Sequence, residues 1–302
     1  MARRVREALP HAGRLMSTGV VLAVLLGALL HAAWNALVKS SGDKQLDLAM
    51  VHLLGALVSL PLLLWVGLPP AAAWPFVAGS LLIHVAYYIT LNGAYQHGDL
   101  GSTYPIMRGS APLLVALGSS ALGEPLTPPA WLGVGAVTAG VLLVGLARPA
   151  QALHHRRAIG FALANALVIA AYTLVDGRGV RISAAAGYSA ASYVVLLFVL
   201  DGIPYPALVF AQRRAAARRA MLAHARQRWP LALLGGLASL GSYGIALWAM
   251  TQAPVAAVSA LRETSVLFAT ALSVWVLKER FGLQRACGAV VIVGGVIALR
   301  LS

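Results

Sequence analysis

Charge is scarce in this sequence, and acidic charge is the scarcest. Of its 302 residues, 11% are charged, nine are Asp or Glu, and 60% are hydrophobic. No Asp, Glu, Lys or Arg occurs within 15–38, 48–98, 125–147 or 229–261. A soluble globular domain has about 25% charged residues, so that class is excluded. Because about 20 apolar residues cross a bilayer as a helix, the longer runs hold two passes each, and the sequence predicts a polytopic membrane protein.

Cysteine and catalytic motifs are also nearly absent. The single cysteine, Cys287, excludes an intrachain disulfide and is interpreted as a small apolar side chain. No HExxH or paired-Asp motif occurs, the histidines are scattered, and the loops are too short for a catalytic domain. We therefore expect that the protein is not an enzyme and that it binds no metal and no cofactor. A polytopic enzyme acting on lipid-linked substrates is the alternative of another class. An ion channel is disfavoured because the sequence has no filter-like repeat beyond the twofold one.

Ten apolar segments are separated by Pro, Gly and charge clusters. The first is too long for a signal-peptide core and lacks a cleavage pattern, so we expect no cleavable signal peptide. The predicted spans, by approximate residue numbers, are 17–38, 48–68, 74–95, 101–122, 129–147, 158–176, 186–203, 229–250, 254–277 and 282–300.

Positive charge is concentrated between the spans. The net charge is +14, but arginines in a tail and loops that flank apolar segments set topology and contact anionic headgroups. The expected partner is therefore the lipid bilayer, with no nucleic acid. The longest hydrophilic piece, 206–228, has arginines at helical spacing. It predicts either a short amphipathic helix on the membrane surface or a solvated basic loop.

The two halves of the sequence resemble each other. LLHAAWNALVK is similar to LVIAAYTLVD, and TYPIMRGSAPLLVALGSSALGEPLT is similar to VSALRETSVLFATALSVWVLKERFG, which matches Arg108 to Arg262 and Glu124 to Glu279. Five spans per half is an odd number, so the halves enter the membrane from opposite sides. This predicts an all-α fold of two inverted five-helix repeats: residues 1–147, a linker at 148–157, and residues 158–302.

Arg108 and Arg262 lie inside predicted spans. At 1.5 Å per residue each is roughly 10 to 12 Å deep in a hydrocarbon core about 30 Å thick, so each should face the bundle interior. Two interpretations remain open: the arginines bias a cavity toward anionic groups, or they only cap carbonyls and hold helices together. Glu263 is a possible counter-ion, more naturally to another span than to its neighbour.

Prolines and aromatic residues surround these charges. Pro105 and Pro112 bracket Arg108 and predict a kink or hinge, since each frees a backbone carbonyl one turn earlier. Aromatic and polar side chains at helical spacing are the candidate lining of a cavity for a small, partly apolar metabolite, although anchoring or packing is the alternative for each. These candidates are Trp34, Asn35, His84, Tyr88, Tyr104, Tyr172, Tyr243 and Trp248, together with Arg108 and Arg262.

With these residues assembled, nearly the whole chain resembles the EamA-type, ten-helix members of the drug/metabolite transporter superfamily. The resemblance rests on HAAWNALVKSSGD, on YQHGDLGSTYPIMRGSAPLLVALGSSALGEPLT and on APVAAVSALRETSVLFATALSVWVLKERFG. It implies two inverted halves around a central cavity. It also implies a protein of the bacterial inner membrane that exports small metabolites, and within the family we expect an exporter of amino acids, including aromatic ones. We expect a monomer, with a dimer as the alternative.

The resemblance also implies that both termini are cytoplasmic, and the basic MARRVREALPHAGR tail agrees. Loop charge favours the opposite orientation, because seven Lys or Arg lie on the terminal side and fourteen on the other.

Glu263 is the one acidic residue plainly placed within a predicted span, and it is the coupling candidate. A single such residue favours facilitated diffusion. A proton-coupled exporter of other metabolites or drugs is the alternative.

Overall fold

The computed structural model describes residues 16–98, 100–146, 156–213, 215–277 and 282–302, and all regular secondary structure in these ranges is helical. The basic N-terminal tail, Asp99, most of the predicted linker and the Lys278–Arg280 cluster with Glu279 lie outside the described residues. The helices are α1 (Thr18–Lys39), α2 (Lys44–Val66), a 3₁₀ turn (Ala71–Ala73), α3 (Trp74–His97), α4 (Leu100–Ala121), α5 (Pro128–Gly145), α6 (Arg156–Ala185), α7 (Ala190–Asp201), α8 (Pro204–Gln212), α9 (Ala215–Met250), α10 (Val255–Arg262), α11 (Ser265–Leu277) and α12 (Leu283–Arg300).

These helices form ten spanning segments in the predicted order. Nine segments of the described chain are long and apolar enough to cross a bilayer, with α7 and α8 forming one segment and α10 and α11 another. The remaining segment is α4, whose 22 residues suffice in length but are more polar because they include Arg108. The predicted ten-span, all-α fold is confirmed.

Two predicted boundaries are corrected. The sixth span was expected to end at 176, but α6 continues to Ala185, which places Asp176 inside the helix. The separate surface helix predicted within 206–228 is wrong: residues 204–212 form α8, and residues from 215 onward are the first turns of α9. With 36 residues, α9 is about 54 Å long, well beyond a hydrocarbon core of about 30 Å. The helix predicted from the arginine spacing is present, but it is continuous with the eighth span rather than separate from it.

Contacts between helix ends agree with spans that alternate in direction. Arg300 Nη2 donates to Thr18 Oγ1 at 3.0 Å, so the last span ends where the first begins. On the opposite end, Arg213 between α8 and α9 bonds Asp43 between α1 and α2, with its two nitrogens 2.5 and 2.8 Å from the carboxylate oxygens. Gln284 at the start of α12 likewise donates to carbonyls at the end of α5. Each contact joins connections that an alternating ten-span order places at the same end.

Helix packing follows the twofold relation between the halves. The third span (α3) packs against the sixth (α6), and the eighth span (α9) packs against the first (α1). The third and eighth spans are equivalent in the two repeats, as are the first and sixth, so these two contacts are the same contact made by each repeat. The fourth span packs against the sixth, and the ninth packs correspondingly against the first. The fifth and tenth spans, α5 and α12, pack against each other. This reciprocal pattern is what an inverted repeat requires.

Glycines set the close approach of α5 and α12. A Cβ on Gly140 would lie 2.8 Å from the carbonyl oxygen of Gly288, and a Cβ on Gly295 would lie 2.8 Å from that of Gly133. Only residues without a side chain allow two helix backbones this close, and close backbones maximise dispersion contacts in a lipid environment that supplies no hydrophobic drive. The glycine-rich spans are therefore explained by packing.

Candidate substrate site

The ninth span is discontinuous at its two charged residues. Helix α10 ends at Arg262, and α11 begins at Ser265. Between them the backbone tightens, since Glu263 N–H donates to the Ala260 carbonyl at 3.0 Å and Thr264 N–H to the Leu261 carbonyl at 3.2 Å, both three residues back. Such a tight turn inside a helix marks a hinge or a functional site, and broken helices near the bilayer midplane form the binding sites of many transporters.

Glu263 pairs with Arg108 of the fourth span rather than with its neighbour. Arg108 Nη2 lies 2.9 Å from Glu263 Oε1, and the residues are only 8% and 3% exposed. This 2.9 Å contact is an ion pair without the alignment of a hydrogen bond, so Nε and Nη2 of Arg108 and Oε2 of Glu263 have no hydrogen-bond partner within the described part of the chain. Buried polar atoms normally find partners, so this pair retains bonding capacity for water or a bound polar group.

Arg262 points toward an aromatic ring. Its guanidinium carbon lies 5.3 Å from the centroid of the Tyr243 ring, within the range of a cation–π contact. His31 of α1 lies within electrostatic range of both Arg262 and Arg108. The matched arginines of the two halves therefore act on a common region, as the twofold relation implies.

A group of aromatic rings extends from this region. His84 stacks on Tyr172 with the ring centroids 4.6 Å apart, and Tyr172 meets Tyr243 edge-on at 6.5 Å. Tyr87, one helical turn from His84, meets Tyr172 at 6.2 Å. Three spans supply these rings, so the structure joins residues that the sequence placed far apart. Their faces offer stacking surface and their polar atoms offer hydrogen bonds.

A buried carboxylate that the sequence analysis missed lies beside these rings. Asp176 is fully buried, and its oxygens accept hydrogen bonds from Tyr243 Oη (2.5 Å), Tyr193 Oη (2.8 Å) and Ser80 Oγ (3.0 Å). The statement that only Glu263 lies plainly within the membrane is therefore corrected. The signal in the sequence is a helical continuation through DGRGVR, whereas a charge at the end of an apolar run equally predicts the end of a span.

Tyr88 joins a second cluster that adjoins the central aromatic group, because its ring meets that of Tyr87 edge-on at 5.6 Å. Its hydroxyl donates to Asp201 Oδ2 at 3.3 Å, and its ring stacks on Tyr205 at 4.8 Å. His52 Nδ1 lies 3.5 Å from the same carboxylate oxygen. Asp201, His52 and Tyr205 were not predicted, since Asp201 fell at a predicted span end and Tyr205 in a predicted connection.

The other predicted residues lie at different distances from the centre. Tyr104 is within electrostatic range of both Arg108 and Glu263. Trp34 contacts His31 edge-on at 5.3 Å, and Asn35 Nδ2 donates to the His31 carbonyl at 2.8 Å. These two therefore lie on α1 beside a residue of the central group.

Trp248 is not brought to the centre. Its side chain is 40% exposed, and it lines a surface groove with residues of α2 and α7. Within the described ranges, no group of three or more His, Cys, Asp or Glu has the arrangement of a metal site.

The prolines predicted as hinges lie inside a continuous helix. Helix α4 runs through Pro105 and Pro112, both buried. Pro105 fits against Gly145, where an added Cβ would approach it to 2.4 Å. Pro112 has no N–H to donate to the carbonyl of Arg108, four residues earlier. The backbone beside the ion pair therefore lacks one intrahelical hydrogen bond, and the hinge role stays a prediction.

Ten spans in two reciprocally packed halves, with a charged and aromatic centre, have the architecture of a polytopic membrane protein built from an inverted repeat. The sequence model of the EamA-like transporter family matches residues 18–146 and again residues 156–301. The chain belongs to this family, within the drug/metabolite transporter superfamily, and family members are transporters.

A solved crystal structure of a protein has a similar fold. It has a TM-score of 0.72 and 16% identity over 93% of this chain and 96% of its own. No curated protein matches the sequence.

Proposed function

We propose that the protein exports amino acids, aromatic ones included, by alternating access around the centre formed by Arg108, Glu263, Arg262, Tyr172 and Tyr243. The observation that carries the proposal is the Arg108–Glu263 ion pair, which is buried and incompletely hydrogen-bonded, and which adjoins Arg262 on the Tyr243 ring. The direction of export comes from the family resemblance, while the substrate class is argued from this chemistry.

An ion pair with unused bonding capacity complements a zwitterion. The α-carboxylate of an amino acid would bind Arg108 or Arg262, and its α-ammonium would bind the free oxygen of Glu263. Each charge then keeps an opposite partner throughout binding, which avoids the penalty of several kcal/mol for an unpaired charge in a low-dielectric interior. A purely cationic or anionic solute would leave one member of the pair uncompensated.

Aromatic rings supply the apolar part of the site. Tyr172 and Tyr243 lie within reach of each other and of the charged centre. Their faces would stack on the side chain of an aromatic substrate, an interaction of about 0.5–1.5 kcal/mol beyond the buried area.

Two further features belong to the proposal. The protein lies in a bacterial inner membrane with both termini cytoplasmic, and each of the two repeats, 1–147 and 158–302, contributes one of the matched arginines. Cleavage of a terminal tag by protease added to intact cells would overturn this orientation. Facilitated diffusion was expected because Glu263 was the one carboxylate placed within the membrane. Asp176 is a second buried carboxylate, which removes that argument for facilitated diffusion.

The test is exchange of radiolabelled solutes by the purified protein in proteoliposomes. A panel of amino acids and other small metabolites should show saturable exchange of amino acids. We expect Tyr172→Leu to raise KM for L-phenylalanine about three- to tenfold, with a smaller effect on L-alanine. Trp275→Leu is the matched control, since Trp275 is 83% exposed at the bundle surface and should leave KM unchanged. Exchange of other metabolites but no amino acid would refute the substrate class.

A further inference from the structure

Asp176 differs from the other carboxylates of the described chain in the kind of partner it has. The others each lie within 4.0 Å of an arginine or histidine nitrogen, as Glu263 does with Arg108 and Glu124 with Arg181. Asp176 instead has three hydroxyl donors and, among the described residues, no such cation in ion-pair range. A fully buried carboxylate without a cation is stable either as an anion held by donors or as a neutral acid.

The surroundings of Asp176 suit both protonation states. As an anion it accepts all three hydrogen bonds. As an acid it must donate, so one neighbouring hydroxyl has to accept and send its own hydrogen elsewhere. Ser80 has such an outlet, because its Oγ lies 3.0 Å from Asp176 Oδ2 and 3.3 Å from His84 Nδ1. The hydroxyl of Ser80 therefore connects the carboxylate to an imidazole.

His84 links this pair to the central site. Its ring is half-buried and stacks on Tyr172, and its Nδ1 also lies 2.8 Å from the carbonyl oxygen of Ser80. In the neutral tautomer that carries its hydrogen on Nδ1, facing the Ser80 carbonyl, a proton taken up at Nε2 makes an imidazolium. Nδ1 then passes its hydrogen to Ser80 Oγ, which passes its own hydrogen to Asp176. The imidazole ends neutral, the carboxylate ends as an acid, and the serine is unchanged.

Protonation at Asp176 would act on contacts between the repeats. Asp176 and Tyr193 belong to the second repeat and Ser80 to the first, so the carboxylate bridges α6 and α3. Tyr243 donates to the same carboxylate, and its ring face carries Arg262. Neutralising Asp176 weakens these charge-assisted bonds. The titratable or charged groups on elements packed against α6 include His84, Tyr87 and His97 on α3, Tyr104 and Arg108 on α4, Tyr193 and Asp201 on α7, Tyr243 on α9, and Arg262 and Glu263 on α10.

We propose that Asp176, Ser80 and His84 form a proton relay, in which Asp176 binds and releases one proton in each transport cycle and so couples transport to proton movement. The coupling rests on the proposed transport function, whereas the proton-binding site itself does not.

The proton site is tested without any substrate, by infrared difference spectra of the purified full-length protein between about pH 4 and pH 9. We expect a carboxylic-acid carbonyl band that titrates, disappears in Asp176→Asn and persists in Glu124→Gln, whose carboxylate is paired with Arg181. Ser80→Ala should keep the band, because it retains the carboxylate. A band that does not change with pH, or one that Asp176→Asn retains, would overturn the relay.

Coupling is tested in proteoliposomes with L-phenylalanine as the probe. For one proton exchanged per substrate, a pH difference of one unit drives an accumulation ratio of about tenfold. The wild type should approach this ratio, and Asp176→Asn should exchange L-phenylalanine without responding to the gradient. His84→Gln should reach the wild-type ratio more slowly. If Asp176→Asn does not fold, Ser80→Ala replaces it and should also slow the approach to the ratio.

The outcomes separate the two proposals. Wild-type exchange that ignores the pH gradient would refute coupling and leave the transport function standing. Absence of L-phenylalanine exchange by the wild type would refute the probe as a substrate, and the infrared titration would still decide whether Asp176 binds a proton. A gradient response in Asp176→Asn equal to that of the wild type would refute the role of this carboxylate.

Discussion

The Arg108–Glu263 ion pair allows a test that separates helix packing from substrate binding. Removing one partner of a buried ion pair leaves an uncompensated charge and costs about 3–5 kcal/mol. The two residues are 8% and 3% exposed, so Arg108→Met and Glu263→Gln should each be destabilising by roughly that amount. Glu263→Gln should be the worse change, because an isolated guanidinium stays charged whereas an isolated carboxyl group can take a proton.

The double variant Arg108→Met/Glu263→Gln should recover much of this loss. It carries no buried charge, so we expect it to be destabilised by only about 2 kcal/mol, which corresponds to a favourable coupling of about 6 kcal/mol relative to the sum of two single changes of about 4 kcal/mol each. At about 2–4 °C per kcal/mol for a large chain, each single variant should lower Tm by about 10 °C, and the double variant by about half as much. Thermal unfolding in one detergent measures these values.

Transport by the double variant then decides what the pair does. If the charges bind the substrate, the folded double variant should lose L-phenylalanine exchange even though its stability has largely returned. Single-variant losses that simply add would refute the energetic reasoning. A double variant that exchanges L-phenylalanine with wild-type KM would show that the pair only holds helices together, and the proposed substrate site would fall.

Two further predictions use matched controls. Gly140→Ala should be destabilising by about 1–3 kcal/mol, because its Cβ would lie 2.8 Å from a carbonyl oxygen of α12, whereas Gly135→Ala meets nothing within 4 Å; thermal unfolding compares them. Hydrogen bonding from Arg213 holds the pKa of Asp43 below its usual value. The ion pair therefore stabilises the folded state by about 0.5 kcal/mol, as expected for a partly exposed pair. This stabilisation is present above about pH 4 and is lost as pH falls through the lowered pKa. Arg213→Met should remove this acid-sensitive part, while Arg219→Met should retain it in the same pH-dependent unfolding assay.

The fold was predictable because the bilayer imposes it. A hydrocarbon core of about 30 Å fixes the length of every span, and an unsatisfied backbone in lipid excludes anything but helices and closed barrels. The lengths of the uncharged runs and the twofold sequence similarity were therefore enough to predict ten helices in inverted halves. Helix ends were less certain: α6 continues to Ala185 because Arg181 finds Glu124 and the carbonyls of Met250 and Ala253, and none of these partners is local in sequence.

The site was only partly predictable, because its side chains are held by contacts between residues far apart in the sequence. Arg108 was identifiable because a charge deep in a span is costly and therefore conspicuous. Asp176 looked like a loop residue, since the hydroxyls that stabilise it lie 17, 67 and 96 residues away. No local pattern announces such a group. For Tyr88 the local pattern was present but did not identify the partner. Its spacing predicts a face shared with His84, whereas its hydroxyl donates to Asp201.

The place of the helix break shows why backbone rules alone were insufficient. Prolines predict breaks, and both prolines of the fourth span lie in an unbroken helix, whereas the ninth span breaks at Glu263 without any proline. The two matched spans thus have different shapes, and the ion pair from Arg108 to Glu263 joins one to the other. In the proposed cycle a zwitterion would take over both charges at once, so the tie between these spans would open while each charge keeps an opposite partner. A substrate with a single charge would break the same tie and leave one charge buried alone, which is why this geometry favours amino acids.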